Sequence, residues 1–345
     1  MKVFAAALLS MLFVSCLAQK KDDIAVINEV YQTVRDTVDN VDSPSFWQGQ
    51  NGENWLISTA KATDVLIVDD AATGKNITRI GGSGTEQGKL SRPNGIFVID
   101  NYAFVVERDN HRVQVFELPE FNSLGIIGDS LLIKPYGLFI YKTNDTYKMY
   151  VTDSYETADE QIPPDNELNR RMHLYNVSIK DSALTWNLVK TFGDTTGNGR
   201  LKVVESVYAD VENNKLLISE EDMTQSSFKV YDLDGNFTGE VIGKGKFDGQ
   251  VEGLTLYKCD NGTGYWIVTN QSYDNNLFLV FDRTTFEYKG TFSGPKTTNT
   301  DGVWLSPLPY ATFTKGVFFA VHDDGNVSAF DWKEIMEKLE LTECD

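Results

Sequence analysis

The sequence predicts an all-β protein built as a six-bladed β-propeller with four-stranded antiparallel blades. Short apolar segments alternate with turns rich in Asn, Asp and Gly, which is the pattern of β-hairpins. Groups of four such segments recur six times at a spacing of roughly 42–50 residues where no insertion intervenes, and this is the period of a propeller blade. The segment 24–37 precedes the first group and is expected to close the ring as an extra outer strand on the last blade.

The clearest copy of the repeat spans residues 204–243. Its strands are predicted at 206–209, 215–219, 228–231 and 237–242. The six second strands are predicted at 54–58, 102–106, 147–152, 215–219, 265–269 and 316–321. The six third strands are predicted at 64–68, 112–116, 172–175, 228–231, 277–281 and 326–330. A polar insertion over 154–171 interrupts the third repeat, and insertions of this length are either functional or disordered.

Residues 1–18 have the form of a secretory signal peptide. An apolar run over 3–14 follows a single lysine, and cleavage is expected after Ala18. Processing as a lipoprotein through Cys16 is the alternative. No later apolar stretch reaches the ~20 residues of a membrane span. The mature chain, 19–345, is therefore expected to be a single domain, secreted to the extracellular space.

Two further features bear on a secreted protein. Loss of Cys16 with the leader leaves Cys259 and Cys344, which predicts one disulfide in an oxidising compartment, the alternative being two free thiols. Asn-X-Ser/Thr sequons predict N-linked glycans on accessible loops. The sequons lie at Asn76, Asn144, Asn176, Asn236, Asn261, Asn270 and Asn326.

The chain is strongly acidic, with 50 Asp and Glu against 31 Lys and Arg and a formal net charge of −19. Such a surface repels nucleic acid and anionic membranes, so neither is an expected partner. A phosphorylated ligand would need metal ions or a local basic patch. We expect a monomer.

Candidate functional residues follow from the geometry of a propeller, in which the first strands line a central channel. The residues that open those strands should meet at one mouth of the channel although they are far apart in sequence. They are Ser45, Asn94, Tyr136, Glu205, Glu252 and Asp301. The loops that follow the second strands add Lys61, Arg108, Asp153, Glu220, Glu221, Asp222 and Asp324.

These residues divide into an acidic group and a basic group. Carboxylates that converge in a narrow space repel one another unless cations neutralise them. Oxygen ligands without a histidine or cysteine cluster indicate calcium. Lys61, Arg108 and Tyr136 lie on the first three blades and would form an anion-binding side of the mouth, a combination suited to phosphate.

Several motifs occur in the order and spacing of a known family. The most specific are LISEED at 217–222 and VEGLTLY at 251–257, accompanied by Asp301-Gly302 and by weaker matches at 42–47 and 59–61. On these residues the chain resembles the β-propeller phytases. The resemblance implies a calcium-dependent phosphomonoesterase that hydrolyses phytate or a related phosphate ester by metal-activated water.

The resemblance also implies roles for individual residues. Calcium ligands or water activators would be Glu205, Glu220, Glu221, Glu252 and Asp301, with Glu205 and Glu221 also catalytic. Lys61, Arg108 and Tyr136 would grip the phosphate being cleaved. The chain departs from the family pattern at Ala62, where a second lysine is usual, and in the blade-three loop, which lacks a lysine. Fewer cations predict weaker substrate binding and slower or altered catalysis.

Two other readings of the same fold remain open. Arg92-Pro93-Asn94-Gly95 resembles an element of six-bladed calcium lactonases, which activate a carbonyl and have no need of Lys61 and Arg108. Residues 92–116 resemble NHL-repeat propellers, which implies a secreted binding protein without catalysis.

Overall fold

The computed structural model describes residues 24–344 as a six-bladed β-propeller, as predicted. The first strands of neighbouring blades contact one another around the complete ring, so they form the wall of the central channel. The proposed signal peptide, with Cys16 and Ala18, lies outside the described residues. Within 24–344, no helix is both long enough and apolar enough to cross a membrane.

The strands of the blades have the following bounds. Blade one has Val41–Gln48, Asn54–Ala60, Val65–Asp70 and Asn76–Gly81. Blade two has Pro93–Ile99, Tyr102–Glu107, Arg112–Glu117 and Asn122–Ile127. Blade three has Pro135–Thr143, Thr146–Asp153, Met172–Lys180 and Ala183–Phe192. Blade four has Val207–Asp210, Lys215–Glu220, Ser227–Tyr231 and Phe237–Ile242. Blade five has Gln250–Lys258, Gly264–Gln271, Leu277–Asp282 and Tyr288–Ser293. Blade six has Val303–Ser306, Val317–His322 and Asn326–Asp331.

The N-terminal segment closes the ring, as expected. Tyr31–Gln32 pairs antiparallel with Asn326–Asp331 and supplies the outer strand of blade six. Just before it, Ala25–Val26 pairs in parallel with the outer strand of blade five, a contact that the sequence did not predict. The same short segment thus covers two sheet edges, which would otherwise expose unpaired backbone groups.

Few of the described residues lie in helices. Two short 3₁₀ turns occur at Asp165–Glu167 and Gly197–Gly199. One α-helix, Trp332–Lys338, follows blade six directly. It begins where the side chain of Asp331 accepts a hydrogen bond from the backbone N–H of Lys333, at 3.0 Å.

The hydrophobic core lies between the faces of adjacent blades. Successive side chains of a strand point to opposite faces of the sheet, so each strand contributes a row of apolar side chains to the interface with each neighbouring blade. Between blades five and six, for example, Phe278 packs edge-on against Phe318 with ring centroids 5.0 Å apart, and Phe292 packs against Phe318 at 5.5 Å. All three rings are buried.

Aromatic side chains fill the channel one layer below the mouth. Phe97 lies 4.8 Å from Trp304 and 5.3 Å from Phe139, and Phe139 lies 4.6 Å from Tyr208, as measured between ring centroids. Each of these residues stands three positions after a predicted mouth residue. A layer of aromatic rings therefore lies across the channel beneath the predicted mouth residues.

The predicted disulfide forms between Cys259 and Cys344 and ties blade five to the C-terminal segment. The insertion over 154–171 is held to the fold by Arg171, which is 1% exposed. Its guanidinium donates to the carbonyl of Tyr155 at 2.6 Å and to that of Leu201, at the entry to blade four, at 3.3 Å.

Two of the seven sequons are corrected by the structure. Asn270 and Asn326 are buried, and their side-chain amides are hydrogen bonded inside the fold, that of Asn326 to the carbonyl of Thr33 at 2.9 Å. Neither side chain has room for a glycan in the folded protein. The other five are exposed: Asn76, Asn144, Asn176, Asn236 and Asn261.

Candidate active site

The mouth of the channel carries one side chain from each blade, placed by strand register. The six positions are Asp42, Asn94, Tyr136, Glu205, Glu252 and Asp301. In blades one, two, three and five, pairing between the first and second strands is irregular at this residue. Such a bulge turns the side chain out of the regular alternation. We call these six residues the mouth ring.

The mouth ring corrects the expectation for blade one, where Ser45 was predicted. Ser45 is fully buried in the regularly paired part of its strand, and its Oγ accepts a hydrogen bond from the backbone N–H of Val98 at 3.0 Å. Asp42 takes its place. A sequence signal for this exists, because every mouth-ring residue is followed by Gly or Ser, including Ser43 after Asp42.

Close packing between blades requires the glycine that follows four of the mouth-ring residues. A Cβ atom on Gly137 would lie 2.2 Å from the carbonyl oxygen of Glu205, and one on Gly302 would lie 2.4 Å from that of Asp42. These separations are well inside van der Waals contact. The glycines therefore allow the mouth-ring backbones to approach one another and bring their side chains together.

Three carboxylates on blades four and five form a compact cluster. Glu205, Glu221 and Glu252 each offer an oxygen, and the three oxygens lie within 4.8 Å of one another. Glu221 comes from the loop that follows the second strand of blade four. Ser219 fixes it by donating a hydrogen bond from its Oγ to the Glu221 carboxylate at 3.1 Å.

The cluster carries a high electrostatic cost when no cation is present. Burial, with a further contribution from Asp42, raises the pKa of Glu205 to about 8. Burial and the charge of Glu205 raise the pKa of Glu221 and that of Glu252 well above the usual range of a carboxyl group. Without a cation, these groups hold protons at a pH where ordinary glutamates are ionised.

On blades one and six, a lysine supplies the missing positive charge. The Nζ atom of Lys61 lies 2.8 Å from a carboxylate oxygen of Asp42 and 3.2 Å from one of Asp301. Burial lowers the pKa of Lys61, but the two carboxylates outweigh this effect and raise it above its usual value. Gln271 donates a hydrogen bond to the other oxygen of Asp301. Burial and the charge of Asp42 raise the pKa of Asp301 to about 7.

Tyr136 and Arg108, the two other residues expected to bind phosphate, lie in different environments. Tyr136 is half-buried and hydrogen bonded to Glu205, and its pKa is raised by burial and by the surrounding carboxylates. Arg108 follows the second strand of blade two, as Lys61 does in blade one. Its Nε atom donates to Asp109 at 2.7 Å, and no contact joins its guanidinium to the three-glutamate cluster within residues 24–344.

Glu220 faces away from the cluster. Its carboxylate accepts hydrogen bonds from the backbone N–H groups of Lys202, Val203 and Asp222 at 2.8, 3.2 and 3.1 Å. The residue at the same place in blade three is Asp153, which accepts from two backbone N–H groups in the same way. In both blades, these hydrogen bonds fix the loop that precedes the first strand. The role of Glu220 is therefore structural.

Two residues near the site were not among the predicted site residues. Asp42 was missed because Ser45 was predicted as the mouth residue of blade one. Gln271 is the last residue of the second strand of blade five and is equivalent to Lys61, Arg108 and Glu221, which directly follow the second strand in their own blades. That equivalence was available from the repeat alignment, but glutamine carries no charge to mark it.

Comparisons with known proteins point to one family. Residues 199–331 match the family model described as Phytase. Over this segment the chain is similar to the phytase family. It is 30% identical over 160 residues to a 3-phytase of Bacillus subtilis (strain 168), an alignment that covers 39% of this chain and 40% of that protein. The chain therefore spans well under half the length of the curated relative that it matches.

The phytase match covers only one side of the site. It contains the acidic residues of blades four to six, among them Glu205, Glu221, Glu252 and Asp301. Lys61, Arg108 and Tyr136 lie before it. Family similarity and geometry thus both support a phytase-like arrangement of the acidic residues. For Lys61, Arg108 and Tyr136, the likeness depends on geometry and residue type alone.

Proposed function

We propose that the protein is a secreted, calcium-dependent phosphoric monoester hydrolase of phytase type, acting on phytate or a related phosphate ester. The observation that carries this proposal is the convergence of Glu205, Glu221 and Glu252 within 4.8 Å. Family similarity over residues 199–331 supports the reaction class.

The donor set of the mouth fits calcium. It consists of carboxylate oxygens, and within residues 24–344 the three-glutamate cluster is the one group of three or more His, Cys, Asp or Glu side chains close enough to share an ion. Calcium prefers such hard oxygen ligands, whereas zinc and copper sites usually contain His or Cys. When bound, calcium would supply positive charge that attracts an anionic ester and favours ionisation of water.

The protein's own residues would orient the ester and handle protons. Lys61 is fixed by two carboxylates and presents a permanent positive charge at the mouth. Arg108 uses its Nε atom on Asp109, which leaves the two outer nitrogens of the guanidinium for a phosphate oxygen. Glu205, which accepts the Tyr136 hydrogen bond, would take a proton from water. Glu220 would act through the loop that it holds.

The test is release of phosphate from phytate by purified protein with calcium, then with excess chelator, then with calcium restored. We expect activity in the first and third conditions alone. Glu221→Gln and Glu252→Gln should each lower kcat/KM by roughly 100-fold or more, because each removes one charge from the cluster. Glu240→Gln, at an exposed position on the outer strand of blade four, is the matched control and should leave activity intact. Turnover that persists in chelator would refute the metal-dependent mechanism.

One observation favours a second candidate, a metal-dependent ester or lactone hydrolase. Asn94 is a fully buried mouth-ring residue, and within the described part of the chain its side-chain amide has no hydrogen-bond partner. An amide oxygen in that position can complete a calcium site. Lys61→Met separates the candidates, since a phosphatase should lose most of its activity and a lactonase should keep it. Absence of turnover on either class of substrate with calcium present would indicate a binding protein instead.

Secretion, glycosylation and a monomeric state complete the proposal. The exposure of five sequons and the disulfide between Cys259 and Cys344 support an oxidising compartment. N-terminal sequencing and intact mass of the protein recovered from culture medium would test cleavage after Ala18, and light scattering would test the monomer. Retention of the chain in cells would argue against secretion.

A further inference from the structure

A groove lies at the mouth-side end of blade four and is lined by basic and neutral side chains. Its walls come from residues 198–202, 223–229 and 239–247. The charged side chains that line it are Arg200, Lys202, Lys229 and Lys244, and among the described residues no aspartate or glutamate lines it. We call this the blade-four groove. Four cations around one cavity are unexpected on a chain of net charge −19. Their clustering is therefore poorly explained by an ordinary solvent-exposed surface.

Lys229 is the central residue of the groove. It is 3% exposed, and its Nζ atom contacts the side-chain oxygen of Gln225 at 3.2 Å. Within residues 24–344 it makes no ion pair with a carboxylate. Burial lowers its pKa, and the nearby charges of Arg200, Lys244 and Lys202 lower it further, against an opposing effect of Glu220. A buried ammonium group without an anionic partner is costly, and bound anions remove that cost.

The other three cations are less constrained. Lys202 pairs with Asp222 at 3.1 Å, and Arg200 pairs with Asp165. Lys244 is exposed and makes no ion pair in the part of the chain that the structure describes. Of the four cations that line the groove, Lys229 and Lys244 are therefore the two that form no ion pair with a carboxylate of the described residues.

The repeat alignment shows why the groove occurs on this blade. Strand pairing places Arg112 opposite Glu107 in blade two and Ser227 opposite Glu220 in blade four. The long side chain of Arg112 reaches back to the carbonyls of Thr85 and Lys89 and fills the space at the end of its blade. Ser227 is too short to do so, and it lines the blade-four groove.

We propose that the blade-four groove binds a phosphate dianion, either inorganic phosphate or the phosphate of a monoester, without the help of calcium. Lys229 at the base and Lys244 at the rim would each donate a charge-assisted hydrogen bond to its oxygens. The site is separate from the three-glutamate cluster, since none of Glu205, Glu221 and Glu252 lines the groove. The inference does not depend on the proposed hydrolysis.

The test measures binding of inorganic phosphate and of a sugar monophosphate to the full-length protein at low salt, in excess chelator, by equilibrium dialysis. We expect Lys229→Met and Lys244→Gln each to weaken binding about tenfold, the effect of losing one hydrogen bond to a charged group. Lys75→Gln, at an exposed lysine in a turn of blade one, is the matched control and should bind as the parent protein does.

Each outcome has a defined meaning. Binding in chelator that survives Glu221→Gln and is weakened by both groove substitutions supports the proposal, and the two ligands show whether free phosphate or a monoester is preferred. Since Lys244 is exposed, its variant tests the groove even if Lys229→Met fails to fold. A requirement for calcium, loss of binding in Glu221→Gln, or unchanged binding in Lys244→Gln would overturn the proposal. If the parent protein binds phosphate in the groove but does not hydrolyse phytate, the proposed function is refuted and the groove proposal stands.

Discussion

The stability of the metal-free protein should fall as the pH rises, because the mouth holds protons that the unfolded chain releases. The pKa of Glu205 is raised from 4.5 to about 8, mainly by burial and then by the charge of Asp42. Between these values the folded state binds the proton and the unfolded state has lost it. Folding is therefore favoured below the lower value and is progressively disfavoured up to the upper one.

The size of the effect follows from the linkage between proton binding and folding. Each pKa unit corresponds to about 1.4 kcal/mol, so Glu205 alone should lower the free energy of unfolding by about 5 kcal/mol between pH 4.5 and 8. Asp301, with a pKa of about 7, acts in the same direction. The two shifts overlap, because both depend on the charge of Asp42, and they should not be added.

The assay is urea unfolding in excess chelator at several pH values between about 5 and 8, followed by tryptophan fluorescence. Glu205→Gln should flatten the decline, whereas Glu240→Gln should reproduce that of the parent protein. Comparison at equal pH cancels contributions from other groups, among them His322, whose pKa is lowered by burial. Calcium should restore stability most strongly at the high end of the range, by about 2.7 kcal/mol at a hundred times its dissociation constant.

Two results would refute this reasoning. One is a metal-free protein whose stability increases steadily from pH 5 to pH 8. The other is a Glu205→Gln variant whose stability declines with pH as steeply as that of the parent, which would show that the carboxyl group does not hold the proton.

Four further outcomes are expected. Lys61→Met should lower the free energy of unfolding by about 3–5 kcal/mol in chelator, as measured by urea unfolding, because it leaves two carboxylates without their partner; an unchanged midpoint would contradict this. Gly137→Ala should push the backbone of Glu205 out of place and weaken calcium binding in a titration, and unaltered affinity would show that the close contact is tolerated. Cys344→Ser opens a disulfide between residues 85 apart in sequence and should cost about 4 kcal/mol in thermal unfolding, while the proposed phosphatase activity should persist at room temperature if the mouth is intact. Peptide mass spectrometry of protein expressed through a eukaryotic secretory pathway should find Asn270 unmodified, and a glycan there would contradict its burial.

The fold was predictable because its information is local and repeated. In blade four, the predicted outer strand at 237–242 coincides with Phe237–Ile242, the second and third strands differ from the prediction by one residue at one end, and the first strand is shifted by one residue. Turn residues set these limits, and each blade gives an independent copy of the same signal. The parallel pairing of Ala25–Val26 with blade five was not predictable, since two residues carry no recognisable strand pattern.

The site was predictable only in part, because mouth-ring residues lie where regular strand geometry fails. In blade one, Ser45 was taken as the residue that opens the first strand, but the strand begins earlier, and the irregular pairing between Val41 and Pro44 presents Asp42 at the mouth instead. Adjacent glutamates raise the same difficulty. Glu220 and Glu221 point in opposite directions, and only the backbone hydrogen bonds of Glu220 show which one is structural.

The distribution of positive charge around the mouth indicates where a cation is most needed. Lys61 already offsets part of the repulsion between Asp42 and Asp301, so that end of the mouth needs a metal less. Within residues 24–344, no lysine or arginine forms an ion pair with the three-glutamate cluster, and its members carry the most strongly raised carboxyl pKa values of the mouth. A divalent ion would relieve more repulsion at the cluster than beside Lys61, because binding next to a lysine would require displacing that charge. The proposed metal-binding and anion-binding roles of the mouth would thus be separated by the placement of one lysine.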